Sequence, residues 1–70
     1  MNISVNKLYN YLNKSIEKTN SAIKGLEAVE MGQIEKQTLK NKWLGQIEAY
    51  HDLLYKLDII KEILEDENRN

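Results

Sequence analysis

The residues best suited to catalysis are Ser15, His51 and Asp52, which together could supply a nucleophile, a general base and an orienting carboxylate. His51 is the only histidine, and so the one side chain whose ordinary pKa lies near neutrality. Asp52 follows it directly, so on a helix the two side chains diverge by about 100°. No glycine-rich turn offers an oxyanion hole. The sequence therefore favours a half-exposed histidine at the edge of an apolar stripe, and we expect no catalytic residues and no enzyme.

Acidic side chains gather near the middle of the chain and at its carboxyl end. Paired carboxylates can bind a hard cation, but neither group has the alternating loop spacing of a calcium site or the Glu-x-x-His motif of helical metal sites. Cysteine is absent, which excludes thiolate ligands and disulfides. We therefore expect no metal site and no cofactor. The acidic residues are Glu27, Glu30 and Glu35 in the first group and Asp58, Glu62, Glu65, Asp66 and Glu67 in the second.

The elements that would carry these residues are helices. Apolar residues recur at alternating spacings of three and four, from Val5 to Val29 and again from Leu39 to Leu64. Proline is absent and glycine occurs at only three positions, which suits long helices. The pattern predicts an all-α fold with helix 1 over about residues 3–30 and helix 2 over about residues 35–65. Either Asn2 or Ser4 can cap the start of helix 1.

Gly32 is the strongest stop signal between the two stripes, because glycine readily takes the left-handed conformation that ends a helix. The alternative is one unbroken helix of about 90 Å. We predict instead a turn over residues 31–34 that folds the single domain, residues 1–70, into an antiparallel helical hairpin. A frayed acidic tail over residues 66–70 follows from the carboxylates that oppose the helix dipole there.

Folding at Gly32 also predicts which residues face one another, with small side chains set against large ones. Gly25 and Gly45 lie inside the periodic segments and are interpreted as points of close helix packing. The predicted facing pairs are Ala22 and Gly25 with Trp43, Leu12 with Leu54, and Leu8 with Leu57. The predicted core or dimer-seam residues are Leu8, Leu12, Ile16, Ile23, Leu26, Trp43, Ile47, Tyr50, Leu54 and Leu57.

Two polar residues, Ser15 and Thr19, occupy core-facing positions of helix 1. They could form a polar layer that fixes register or partner choice. Equally, each hydroxyl could bond the carbonyl one turn upstream and sit within the core. The sequence does not choose between these two interpretations.

A row of asparagine and lysine on the outer face of helix 1 has the hydrogen-bond donors that contact phosphates and base edges. Its members are Asn6, Asn10, Asn13 and Lys14. With its expected topology and length, the chain resembles Rop, a plasmid-encoded RNA-binding hairpin; the resemblance is of architecture and not of residue motifs. It implies a dimer that binds RNA or DNA. The net charge of −1 opposes nucleic acid as a partner, because such binding relies on a basic field.

The segment from Leu53 to Leu64 has apolar residues on nearly every side, more than helix 1 can cover. Scattered exposed apolar residues are common, but a contiguous patch usually marks an interaction surface. We expect a homodimer, forming a four-helix bundle, and the docking of another protein. The predicted partner-binding residues are Leu53, Tyr55, Ile59, Ile60 and Ile63.

The sequence also indicates where the chain acts. No apolar stretch approaches the roughly 20 residues of a membrane span, and the first residues lack the pattern of a signal peptide. We expect a cytoplasmic protein, in the host cytoplasm if a phage encodes it. The expected role is a non-enzymatic adaptor, assembly factor or inhibitor of a larger protein, of the kind that phages and other mobile elements encode.

Overall fold

The computed structural model describes residues 4–68, and the side chains of residues 4–67. Two α-helices make up nearly all of this part of the chain, α1 over Val5–Leu26 and α2 over Gln33–Asn68. They contact each other extensively and run antiparallel. The all-α hairpin predicted from the apolar period is therefore confirmed. With 36 residues, α2 spans about 54 Å, so it sets the long dimension of the 58 × 18 × 15 Å molecule.

Ser4 begins α1. Its backbone is extended, its side chain satisfies an amide that has no partner within the helix, and its carbonyl accepts the first bond of α1. The Oγ atom accepts the backbone N–H of Lys7 at 3.2 Å, and the Ser4 carbonyl accepts the N–H of Leu8 at 3.3 Å. Of the two predicted caps, Ser4 is the one the structure shows, and Asn2 lies outside the described residues.

The end of α1 differs from the prediction, because the helix stops at Leu26 and not near residue 30. Glu27, which follows, keeps a right-handed backbone conformation (φ −64°, ψ −28°). The carbonyl of Glu27 accepts a hydrogen bond from Nζ of Lys36 at 3.2 Å. A lysine from the first turn of α2 thus satisfies a carbonyl that the end of α1 leaves free.

Gly32 starts the second helix; it does not end the first. Its φ is not positive, so the predicted left-handed turn at Gly32 is wrong. Its carbonyl accepts the N–H of Lys36 at 3.0 Å, the first bond of α2. Gly32 therefore occupies the N-cap position, where glycine is moderately favoured, and the connection covers residues 27–32.

At its other end α2 continues through Asn68, beyond the predicted boundary near residue 65. The sequence after Gly45 contains neither glycine nor proline, so nothing in the chain breaks the helix. The part of the predicted frayed tail that the structure describes is therefore helical, while residues 69–70 lie outside it.

Two of the predicted facing pairs lie together, in agreement with the predicted register. Ala22 and Trp43 line one shallow depression, and Leu8 and Leu57 line another. A Cβ built on Gly25 or Gly45 would meet nothing within 4 Å. These glycines are not points of close packing, so that interpretation was wrong. Of the two small residues predicted to face Trp43, Ala22 is the one that lines a depression with it.

Thr19 has a simple local role. Its hydroxyl donates to the Ser15 carbonyl at 2.8 Å, in a half-buried environment. For Thr19, the structure therefore shows the intrahelical bond, one of the two interpretations that the sequence left open.

The core of the hairpin is thin. Among the described residues, only Leu12 (6% exposed) and Leu26 (7%) are buried apolar side chains. The radius of gyration is 16.7 Å, against about 11 Å for a compact domain of this length. The other predicted core residues, all half-buried, are Leu8, Ile16, Ile23, Trp43, Ile47, Tyr50, Leu54 and Leu57.

Candidate interaction surfaces

The predicted partner-binding residues are all exposed, and they extend over a wide sector of α2. Leu53 and Ile60 are seven residues apart, so they lie on the same side of α2. Tyr55 is two residues from Leu53, about 200° further around the helix. The exposed apolar residues of α2 therefore spread over two adjoining flanks, with Ile60 and Ile63, three residues apart, at their border. The exposed fractions are Leu53 45%, Tyr55 66%, Ile59 42%, Ile60 47% and Ile63 53%.

One flank forms an open depression of about 430 Å³ between the two helices, which we call the apolar groove. Its walls come from both helices in the half of the hairpin far from the turn, and every wall residue except one lysine is apolar. Such a depression has the chemistry of a binding surface, with few polar groups to desolvate. The residues lining the apolar groove are Leu8, Tyr11, Leu12, Leu53, Lys56, Leu57 and Ile60.

Lys56 is the single charged residue of the apolar groove. Its Nζ lies 2.9 Å from Oδ2 of Asp52, one helical turn away. Both side chains are well exposed, so the pair adds little stability to the hairpin. It does place a negative charge beside the lysine, which leaves this part of the groove without a net charge.

The other flank carries Tyr55, Ile59 and Ile63 at four-residue spacing, a row that we call the docking stripe. Each member is followed three residues later by an acid, so a row of carboxylates runs beside the apolar row. The acids are Asp58, Glu62 and Asp66, all exposed. Asp58 also accepts a hydrogen bond from the hydroxyl of Tyr9, which ties this flank of α2 to α1.

Sequence reasoning missed two residues of the apolar groove, Tyr11 and Lys56. Tyr11 is 66% exposed, yet it lines the groove. It follows Leu8 by three residues, which makes the two side chains neighbours on one helical face. That spacing is the signal that could have found it.

The residues weighed for catalysis do not assemble as a triad would require. His51 is exposed, and the Asp52 carboxylate pairs with Lys56. Ser15 is half-buried on the other helix. Within residues 4–67, no group of three histidine or acidic side chains could hold a metal ion.

The four residues of the predicted nucleic-acid face are exposed along α1. They lie on the side of the helix away from the buried Leu12 and Leu26. The structure thus leaves this face open to solvent without adding a basic field to it. The residues are Asn6, Asn10, Asn13 and Lys14.

Within the described part of the chain, neither helix combines the length and apolar character needed to cross a membrane. Comparison with protein-family models, with curated proteins and with solved structures found no match. The fold and its surfaces therefore define the class directly: an all-α helical hairpin with an apolar groove on one flank of α2 and a docking stripe on the other.

Proposed function

We propose that this chain is a non-enzymatic protein-interaction module that acts in the cytoplasm and docks onto a larger protein through α2. The observation that carries the proposal is the docking stripe. Tyr55, Ile59 and Ile63 are 66%, 42% and 53% exposed on a stretch of helix that α1 does not cover. A row of bulky apolar side chains that stays in water is costly unless another surface buries it.

The chemistry beside the docking stripe indicates what kind of surface it fits. The acidic row of Asp58, Glu62 and Asp66 edges the apolar residues on one side. A partner with an apolar cleft and basic residues along one rim would be complementary in both shape and charge. Such an arrangement suits an adaptor, an assembly factor or an inhibitor that covers a functional cleft. As an inhibitor, the chain would act by covering a basic cleft of the larger protein with this acidic part of α2.

Protein docking is favoured over the alternative, nucleic-acid binding by Asn6, Asn10, Asn13 and Lys14. The supporting observation for that alternative is their exposure along α1. Exposure of asparagine and lysine is the ordinary state of a solvated helix face. The docking stripe instead exposes groups that water disfavours, so it is the stronger sign of a missing partner.

The proposal is tested by capturing partners with the tagged chain from cells that carry its gene, using Ile59→Asp as the disrupting variant. A charge at the centre of the docking stripe would have to be buried without a partner, so we expect at least a hundredfold loss of affinity. Mass spectrometry of the captured proteins, followed by titration calorimetry with the partner, measures this loss.

The matched control is Ile34→Asp. Ile34 is also an exposed isoleucine of α2, 84% exposed, and it lies about 37 Å along the helix from Ile59. This variant should retain the partner with unchanged affinity. Equal capture by Ile59→Asp and the wild type would contradict the proposal.

A further inference from the structure

The apolar groove is a second uncovered surface, on the flank of α2 that adjoins the docking stripe. It is built by both helices, with Leu8 and Leu12 from α1 facing Leu57 and Ile60 from α2. A helix pair presents such a groove when a third or fourth helix is needed to complete its core. The groove therefore requires its own occupant.

The surface area indicates how large that occupant must be. The chain exposes 5975 Å², whereas a compact protein of 8.2 kDa exposes about 4,500 Å². The excess, about 1,400 Å², is larger than the roughly 800 Å² that each partner contributes to a stable interface. A standard interface with one further hairpin would bury a little over half of that excess.

The apolar groove is suited to meet a copy of itself. In a two-fold interface the same patch occurs on both sides, so the patch must provide both a projection and a hollow. Tyr11, two-thirds exposed at the rim, is the projection, and the depression of about 430 Å³ beside it is the hollow. A tyrosine at this place can bury its ring and keep its hydroxyl in water.

Charge does not oppose this contact. Lys56 is the one cation lining the apolar groove, and Asp52 lies 2.9 Å from its Nζ. Two copies can therefore approach without facing two uncompensated lysines. The remaining walls are apolar, so dimerisation would desolvate few polar groups.

We propose that a second copy of this chain covers the apolar groove, so that two hairpins form a two-fold dimer with a four-helix core around Tyr11 and Ile60. The docking stripe, with Ile59 about 100° around α2 from Ile60, stays free for the larger protein. The inference deepens the proposed function by assigning each flank of α2 its own occupant. Two identical docking stripes on one dimer would then allow bivalent binding.

The experiment measures molar mass by light scattering during size-exclusion chromatography, at tens of micromolar chain, for the wild type, Ile60→Asp and Ile59→Asp. The two isoleucines are adjacent in the chain, 47% and 42% exposed, and point about 100° apart around α2, and of the two only Ile60 lines the groove. The wild type and Ile59→Asp should each give twice the chain mass of 8.2 kDa, whereas Ile60→Asp should give the mass of one chain.

Tyr11→Ala is a second variant, which covers the case in which Ile60→Asp is monomeric only because it unfolds. The Tyr11 side chain is mostly exposed in the single hairpin, so its loss should leave the far-UV helical signal intact while weakening dimerisation at least tenfold. The proposal is overturned if the wild-type chain is a monomer. It is also overturned if Ile60→Asp or Tyr11→Ala dimerises as strongly as the wild type. If the wild type is a monomer and Ile59→Asp still abolishes capture of the partner, the dimer proposal fails and the proposed function stands. A dimer whose capture of partners is unchanged by Ile59→Asp would refute only the proposed function.

Discussion

At the scale of single residues, the hairpin depends on local hydrogen bonds at helix ends and on few buried side chains. Ser4 caps α1, and Lys36 reaches back from α2 to the carbonyl of Glu27. Thr19 satisfies its hydroxyl within its own helix. The cap was predictable from sequence, because a serine just before an apolar helical period is a known start signal. The Lys36 contact was not, since it depends on where the two helix ends meet in space.

The glycines give the first prediction. Gly45 lies inside α2 with open space where a Cβ would be, and glycine costs a helix interior up to about 1 kcal/mol relative to alanine. Gly45→Ala should therefore raise the free energy of unfolding by about 0.5–1 kcal/mol. Urea unfolding followed by far-UV circular dichroism, at one fixed chain concentration, measures the change.

The control for this prediction is the reverse exchange in the same helix, Ala49→Gly. Ala49 is exposed, so its replacement should lower the free energy of unfolding by a similar amount, about 1 kcal/mol. Destabilisation by Gly45→Ala would mean that another backbone packs closely at this position, as the sequence pattern had suggested.

At the scale of the helices, the apolar period predicted their number, their direction and the pairing of Ala22 with Trp43. It did not predict their ends. No helix breaker occurs at Glu27, Ala28 or Val29, so the sequence permits a helix through these residues. The helix ends earlier, at Leu26, where the chain crosses to α2. Likewise, the acidic charges near Asp66 oppose the helix dipole only weakly, and α2 continues past them.

The division of α2 into two flanks could also be predicted from the sequence. Ile59 and Ile60 are neighbours in the chain, and a helix turns about 100° between them. The sequence predicted one partner-binding set across a segment that is apolar on nearly every side, whereas the groove lies on the side of Ile60 and the docking stripe on the side of Ile59. The apolar groove itself needed the structure, because Tyr11 and Lys56 enter it from different helices.

The corrected role of Gly32 gives a prediction about the connection. As the N-cap of α2, it is followed at the third helical position by Glu35, whose Cδ would lie 3.9 Å from an added Cβ. Gly32→Ser would complete a capping box with this glutamate, and should raise the free energy of unfolding by about 0.5 kcal/mol. Thermal unfolding followed by circular dichroism provides the measurement.

The double variant Gly32→Ser with Glu35→Ala is the control, since it removes the reciprocal bond and should lose part of the gain. If Gly32 were instead left-handed, serine there would be strained, and Gly32→Ser would lower stability by about 1 kcal/mol. A lower melting temperature for the single variant is therefore the contradictory result.

At the scale of the whole molecule, one hairpin buries few of its side chains. Only two described side chains are buried, and the chain exposes 5975 Å². The molecule is 58 Å long and about as thin as two helices. We propose that it gains stability by association, as small domains with thin cores commonly do. The two flanks of α2 provide two surfaces for that association.

Small-angle X-ray scattering of the wild-type chain at tens of micromolar tests this account most directly, since forward intensity reports mass and the cross-section reports thickness. We predict the forward intensity of two chains of 8.2 kDa and a particle thicker than the single hairpin in cross-section. Scattering from one chain, with a radius of gyration close to 16.7 Å, would contradict it.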